Sequence, residues 1–257
     1  MKKFMIIVII AMAIPLAFLT VSDKDQYNTA VSIQKQLPGI GSPLLYKLAE
    51  NGNNYALLHF LNDKDMFYKL VDIAIASNNP NVTFKYAMQY EKNYSQINNK
   101  KSAETIISWY QKAAKQNHKL SKLRLASIYK QGKMIAKDTK VEKNLEKSFK
   151  YKISAAKQDP LYLITLQIAK DYEEGIDTKK DLVNAYALYF FEYTQSLQFD
   201  IIHNHTILNE DTFKNEQRLA RKLQTLGKQL SRDEIFKARQ IASKYIEINL
   251  EYIIKNY

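Results

Sequence analysis

Cysteine is absent from the 257-residue chain. This absence excludes a disulfide framework, a thiolate zinc site and a cysteine nucleophile. Residues that break helices are also scarce, with 6 glycines and 5 prolines. Because lysine, leucine, alanine and glutamine are abundant and 46% of the residues are hydrophobic, the composition favours a mostly helical protein with a sizeable core.

The short motifs of common catalytic and cofactor sites are missing as well. The sequence contains no Gly-x-Ser-x-Gly elbow, no phosphate-binding glycine loop and no His-Glu-x-x-His pair. These patterns position a nucleophile, a row of backbone donors and two metal ligands, respectively. The sequence therefore predicts a protein that is not an enzyme, with no catalytic residue, no cofactor and no metal.

The N-terminus combines two lysines with an apolar segment. Lys2 and Lys3 precede an apolar run over residues 4–19, and small residues follow before Asp23. This order is typical of a secretory signal, and the length of the run also fits a short membrane anchor. We therefore expect residues 1–22 to be a signal peptide or anchor. The protein would be periplasmic or secreted, or alternatively anchored in the inner membrane and facing the periplasm.

Positive charge predominates, since 38 lysines and arginines oppose 26 acidic residues and give a formal net charge of +12. A basic chain commonly meets nucleic acid, anionic lipid or an acidic protein surface. The export signal argues against nucleic acid. The expected partner is another protein with an acidic surface.

A four-residue motif recurs in the middle of the chain. Tyr129-Lys130-Gln131-Gly132 matches Tyr172-Glu173-Glu174-Gly175, and an aspartate follows each glycine by six positions, Asp138 and Asp181. Glycine ends a helix in the left-handed conformation without a steric penalty, and aspartate can cap the next helix. The motif thus predicts a helix, a short loop and a second helix in each unit.

A second motif lies in the second helix of each unit. The segment 109–114, which begins with Trp109 and ends in a double alanine, matches the segment 151–156. Small alanines let neighbouring helices approach closely, while aromatic side chains fill the remaining gaps. Because one helix pair cannot bury its own apolar face, such units stack on one another.

The order and spacing of these motifs resemble those of Sel-one-like repeats, which belong to the tetratricopeptide-type superfamily. The residues that carry the resemblance are Trp109, Tyr110, Ala113, Ala114, Leu125, Ala126, Tyr129, Gly132, Asp138, Ile168, Ala169, Tyr172, Gly175 and Asp181. The chain departs from the family at Met134 and Asp177, where a second loop glycine is usual. The resemblance implies an all-α, right-handed superhelical solenoid of helix pairs, whose first helices line the concave face.

The predicted organisation follows from these motifs and from a proline- and glycine-rich stretch at residues 38–43. It comprises the signal or anchor (1–22), a linker (23–43), degenerate helical repeats (44–99), Sel-one-like repeats (100–196), a loop (197–210) and C-terminal capping helices (211–257).

The resemblance also implies a function, namely a protein-protein interaction scaffold or adaptor of the bacterial envelope. One alternative is an immunity protein that neutralises a secreted toxin. Another is a protein active on peptidoglycan or β-lactams, an association known for a cysteine-rich branch of the family and weakened here by the absence of cysteine.

One-sided charge marks residues 105–137, which contain eight basic residues and no acidic one. Such a run is usually a solvated face. An acidic cluster follows over residues 171–181, so the charge is patterned along the chain. Because Leu123, Leu125 and Ile128 have the spacing of buried positions, we expect four basic residues to point outward and to bind the acidic partner at the end of a groove. These four are Lys115, Lys119, Lys122 and Arg124.

Overall fold

A computed structural model describes residues 21–94, 103–133, 140–157, 162–202 and 210–256. Within these ranges the regular structure is helical, and the one pairing of extended backbone is an isolated bridge between Lys133 and Lys140. The predicted all-α class is therefore confirmed. Residues up to Gln116 and residues from Asn117 form two compact units.

The first unit contains α1 (Asp23–Gln36), α2 (Pro38–Glu50), α3 (Asn54–His59), a 3₁₀ turn (Phe60–Asn62), α4 (Lys64–Ala76), α5 (Pro80–Lys92) and α6 (Ala103–Lys115). Aromatic rings fill its core. The rings of Phe67 and Tyr86 stack with centroids 5.1 Å apart, and Tyr90 meets Trp109 edge-on at 5.2 Å. Trp109 thus has the packing role that its motif predicts.

The predicted linker over residues 23–43 is instead helical. Ser22 caps α1, and Pro38 occupies the first turn of α2, where its missing N–H would have no partner within the helix. Gly41 lies so close to Gln34 that an added Cβ would clash with the Gln34 backbone. Proline and glycine therefore start a helix and permit a close helix contact here, rather than forming a linker.

The second unit contains α7 (Lys119–Gln131), α8 (Leu145–Ala156), α9 (Tyr162–Glu174), α10 (Leu182–Ile202), α11 (Glu210–Gly227) and α12 (Arg232–Asn256). Helix α7 packs against α8, α9 packs against α10, and α11 and α12 both pack against α10. Phe191, Leu219 and Leu226 are among the most deeply buried side chains of its core. These pairs are the repeat units that the motifs predict.

The predicted loop over residues 197–210 begins too early, because α10 continues to Ile202. Residues 197–202 contain no glycine or proline that would end the helix. Residues 203–209 lie outside the described ranges. The segment predicted to hold the capping helices contains α11 and α12.

Both motif glycines end a helix in the left-handed conformation, with φ of 67° at Gly132 and 70° at Gly175. Asp181 caps α10, since its Oδ1 accepts the backbone N–H of Asn184 at 3.0 Å. The equivalent prediction for Asp138 is wrong. Asp138 itself lies outside the described residues, but α8 starts only at Leu145, where Asn144 provides the cap.

Substitution of Gly132 by valine should lower the free energy of unfolding by about 1–2 kcal/mol, because a branched residue is forced into the left-handed region. The added Cβ would also meet the Cβ of Lys143 at 3.0 Å. Urea unfolding followed by circular dichroism measures the loss. Gly39→Val is the matched control, since no atom lies within 4 Å of a Cβ built there. Equal losses in the two variants would contradict the assigned role of Gly132.

Candidate functional site

Two adjoining cavities lie along α9 in the second unit and together form what we call the groove. The first has a volume of about 400 Å³ and lies among α7, α8 and α9. The second has a volume of about 300 Å³ and lies among α9, α10 and α11. Gln167 lines both cavities. The groove therefore follows the length of α9 and is not a single enclosed pocket.

Helical periodicity brings the lining residues of α7 onto one face. Leu123, Ala126, Ser127 and Lys130 line the first cavity, and they are separated by three, four and seven positions, the spacing of one helix face. Ser148 and Lys152 of α8 lie one turn apart and contribute to the same cavity. The side chain of Ile164 adds an apolar surface from α9.

A network of ion pairs stands behind the first cavity. The Nζ atom of Lys152 donates to Asp171 and to Asp177 Oδ2, the latter at 2.9 Å, and Lys130 Nζ donates to the same Asp177 oxygen at 2.8 Å. The Asp171 and Asp177 side chains are 0% and 1% exposed, whereas that of Lys130 is 41% exposed. The lysines thus line the cavity and the carboxylates lie behind them.

Two opposing effects set the pKa of Asp177. Burial raises it, but the hydrogen bonds and charges of Lys130 and Lys152 outweigh burial and lower the pKa below its usual value. Asp177 therefore stays ionised at neutral pH. Its carboxylate supplies an internal counter-charge to Lys130 and Lys152. Lys130 belongs to the basic run over residues 105–137, so part of the charge of that run is neutralised within the chain.

The second cavity contains a compact charged cluster. Glu173 accepts hydrogen bonds from Lys222 Nζ at 2.9 and 3.1 Å and from the Tyr189 hydroxyl at 3.0 Å. Burial, followed by the charge of Glu173, raises the pKa of Tyr189, so the phenol remains a hydrogen-bond donor. Lys170 and Glu174 form an ion pair at 3.7 Å on the same wall.

The two polar clusters occupy equivalent positions in successive repeats. Lys130 and Glu173 each follow the tyrosine of the Tyr-x-x-Gly motif, and Lys152 and Tyr189 each lie eight residues after the N-cap of their helix. The first pair contacts α9 and the loop after it, whereas the second pair includes a contact with α11. The position after the motif tyrosine thus holds a lysine in one repeat and a glutamate in the next, and in both it pairs with an oppositely charged side chain from later in the chain.

The four basic residues predicted to bind a partner do not line the groove. Lys115 is exposed at the end of α6 in the first unit, and Lys119 and Arg124 are half-buried on α7. The expectation that Lys122 points outward is wrong. Its Nζ donates to Asn117 Oδ1 and to the Ser154 carbonyl, both at 3.3 Å, and burial lowers its pKa. A role in partner binding for the four residues stays a prediction.

The described ranges contain no group of three or more acidic or histidine side chains arranged to hold a metal ion. In the same ranges, no helix has the length and apolar character needed to cross a membrane. The predicted signal or anchor lies almost wholly outside the described residues, which begin at residue 21.

Sequence reasoning missed Lys152, Gln167, Tyr189, Arg218 and Lys222 as groove residues. Lys152 and Tyr189 could have been found from their shared distance to the helix start, since they follow Asn144 and Asp181 by eight positions. Arg218 and Lys222 carry the four-residue spacing of one helix face. No sequence signal, however, indicates that this face of α11 lies beside α9.

No family model and no curated protein matches the sequence. Among solved structures, the chain is similar to a protective antigen present in uropathogenic Escherichia coli strains, whose crystal structure displays an SLR fold. The two share 18% sequence identity with a TM-score of 0.45, and the match covers 91% of this chain and 48% of that one. This chain spans about half the length of that protein. Its own paired helices and left-handed glycines make it a helical-repeat protein similar to Sel-one-like and tetratricopeptide-like repeats.

Proposed function

We propose that the chain is a non-enzymatic interaction scaffold that binds a segment of a partner protein in the groove. The observation that carries this proposal is that Gln167 lines both cavities, which places them side by side along α9. Each cavity has apolar residues at its wall and charged residues around them, the combination that holds a ligand and fixes its orientation.

The dimensions of the groove suit an extended peptide. Ile164 and Glu174 mark its two ends on α9, and ten residues of helix span about 15 Å. An extended chain covers about 3.3–3.6 Å per residue. Four or five residues of a partner would therefore occupy the length of the groove.

Substitution of Gln167 by arginine should strongly reduce capture of the partner, because a longer charged side chain then fills the junction of the two cavities. Tagged full-length protein, incubated with an envelope extract and analysed by quantitative mass spectrometry, should lose at least about tenfold of its specifically retained partner, a loss of about 1.4 kcal/mol of binding free energy.

Gln240→Arg is the matched control for this experiment. Gln240 is exposed on α12 in the same unit and lines neither cavity, so the variant should capture the partner as wild type does. Circular dichroism verifies that both variants are folded. Equal capture by the two folded variants would place the binding surface outside the groove.

We also propose that the protein is exported, on the basis of Lys2, Lys3 and the apolar run over residues 4–19. An alkaline phosphatase fused after Tyr257 should be active, since this reporter folds only outside the cytoplasm. Replacing two apolar residues of the run by Asp should abolish that activity, because charge opposes membrane insertion. Activity that survives in the charged variant, or an inactive wild-type fusion of full length, would refute export. Export would place the partner in the envelope.

A further inference from the structure

We infer that the groove selects a partner segment in which an Asp or Glu side chain lies two or three residues from an apolar side chain. This inference rests on the proposed function and specifies the chemistry of the partner. Three features support it, namely the charge of the wall, the separation of apolar and charged surface along α9, and the amide at the junction.

Cations outnumber carboxylates on the wall of the groove. Among the described lining residues the cations are Lys130, Lys152, Lys170, Arg218 and Lys222, and the carboxylates are Glu173 and Glu174. Asp171 and Asp177 balance two of these lysines, but their side chains are buried and line neither cavity. In the first cavity the ion pairs thus turn their positive ends toward the groove, whereas in the second cavity Glu173 and Glu174 lie on the wall with their lysine partners. A wall of this kind favours an acidic occupant and disfavours a basic one.

The apolar and the charged surfaces lie at different ends. Leu123, Ala126 and Ile164 give the first cavity an apolar wall that suits an aliphatic or aromatic side chain. In the second cavity, the three cations Lys170, Arg218 and Lys222 outnumber the two carboxylates Glu173 and Glu174, and this excess suits an added carboxylate. Lys170 follows Ile164 by six positions, a distance of about 9 Å along α9, which is the length of two or three residues of extended chain.

Gln167 stands between these two ends. Its Nε2 donates to the buried Asp171 Oδ1 at 3.1 Å, so the amide is held in place by a group that is itself fixed by Lys152. An oriented amide can exchange hydrogen bonds with the backbone of a peptide that crosses the junction. The two side-chain sites and the amide together define one path for an extended chain.

Selection from a random heptapeptide library displayed on phage tests this inference with full-length protein. We expect enrichment of peptides that carry Asp or Glu two or three positions from Leu, Ile, Val or Phe. Synthetic fluorescent copies of the enriched peptides should lose at least about tenfold in affinity toward Arg218→Glu. Arg232→Glu is the matched control, because Arg232 is exposed at the start of α12 and lines neither cavity.

The outcomes separate this inference from the proposed function. Enriched peptides without acidic residues that still lose affinity toward Gln167→Arg would overturn the acidic motif and leave the groove as the binding site. Acidic peptides that bind Arg218→Glu as tightly as wild type would also overturn the inference. Both proposals would be overturned if the enriched peptides bind Gln167→Arg as tightly as wild type. They would also be overturned if the basic wall binds only anionic lipid vesicles or nucleic acid.

Discussion

Lys152→Met is expected to lower the free energy of unfolding of the second unit by about 3–5 kcal/mol, the usual cost of removing one partner of a buried ion pair. Lys152 is buried, and its ammonium group donates to the two buried carboxylates of Asp171 and Asp177. Methionine matches the length of the aliphatic stem but provides no donor. Asp171 then retains its hydrogen bond from Gln167, and Asp177 retains its ion pair with Lys130. These remaining contacts do not replace the positive charge of Lys152.

Lys150→Met is the control for this experiment, because Lys150 lies on the same helix and its ion pair with Glu146 is largely exposed. An exposed pair of this kind contributes about 0–1 kcal/mol. Urea unfolding should be followed by circular dichroism, because Trp109 lies in the first unit, whereas circular dichroism follows the helices of the second unit directly. Adding Asp171→Asn and Asp177→Asn to Lys152→Met should restore part of the loss. Equal losses for Lys150→Met and Lys152→Met would contradict the ion-pair explanation.

The sequence was sufficient to predict features that depend on local chemistry. Gly132 and Gly175 end helices in the left-handed conformation because only glycine does so without a steric penalty. The two double alanines, Ala113-Ala114 and Ala155-Ala156, are buried as close helix packing requires. In each case the residue type itself restricts the structure, so a single pattern carries the prediction.

The sequence was insufficient where a contact joins distant segments. Lys130 meets Asp177 over 47 positions, and Lys222 meets Glu173 over 49. Which charged side chains turn inward depends on how one repeat stacks on the next, and this is not encoded in helical spacing alone. For the same reason Lys122, which the apolar pattern of α7 places outside, has its ammonium group on the carbonyl of Ser154 in the neighbouring helix.

Local reasoning also failed where one residue type serves two purposes. Proline and glycine at residues 38–43 are typical of a linker, yet proline fits the first turn of a helix and glycine permits a close contact between helices. The contact of Gly41 with Gln34 becomes visible only when both helices are in place. Composition therefore predicted the wrong structure in this segment.

The second large effect is expected for Glu192→Gln, which should stabilise the protein at neutral and alkaline pH. Glu192 lies on α10 with only 3% of its surface exposed. Burial raises the pKa of its carboxyl group from 4.5 to about 8, and the hydrogen bond with Thr165 opposes this only in part. Its position follows Asp181 by eleven residues, and the equivalent position after Asn144 is the buried Ala155. One repeat thus places a carboxyl group where the other has a methyl group.

The direction of the pH dependence follows from proton binding. Between about pH 4.5 and pH 8 the folded protein holds a proton on Glu192 that the unfolded chain has released, so unfolding becomes easier as the pH rises. The contribution of Glu192 to the free energy of unfolding is fully present below about pH 4.5 and is lost between this pH and about pH 8. With about 1.4 kcal/mol for each pKa unit, the loss at pH 7 is about 3 kcal/mol. Glutamine has the same shape and no proton to bind, so it removes this loss.

Urea unfolding of wild type and Glu192→Gln at pH 5 and pH 8 measures the effect. The two proteins should differ by less than about 1 kcal/mol at pH 5, and the variant should be more stable by several kcal/mol at pH 8, because the difference grows by about 1.4 kcal/mol with each pH unit. Glu247→Gln, at an exposed position of α12, should follow wild type at both values. A difference between wild type and Glu192→Gln that is the same at pH 5 and pH 8 would mean that Glu192 is ionised in the folded protein. Its carboxylate would then need a cationic or hydrogen-bonding partner beyond Thr165, since burial alone favours the neutral acid.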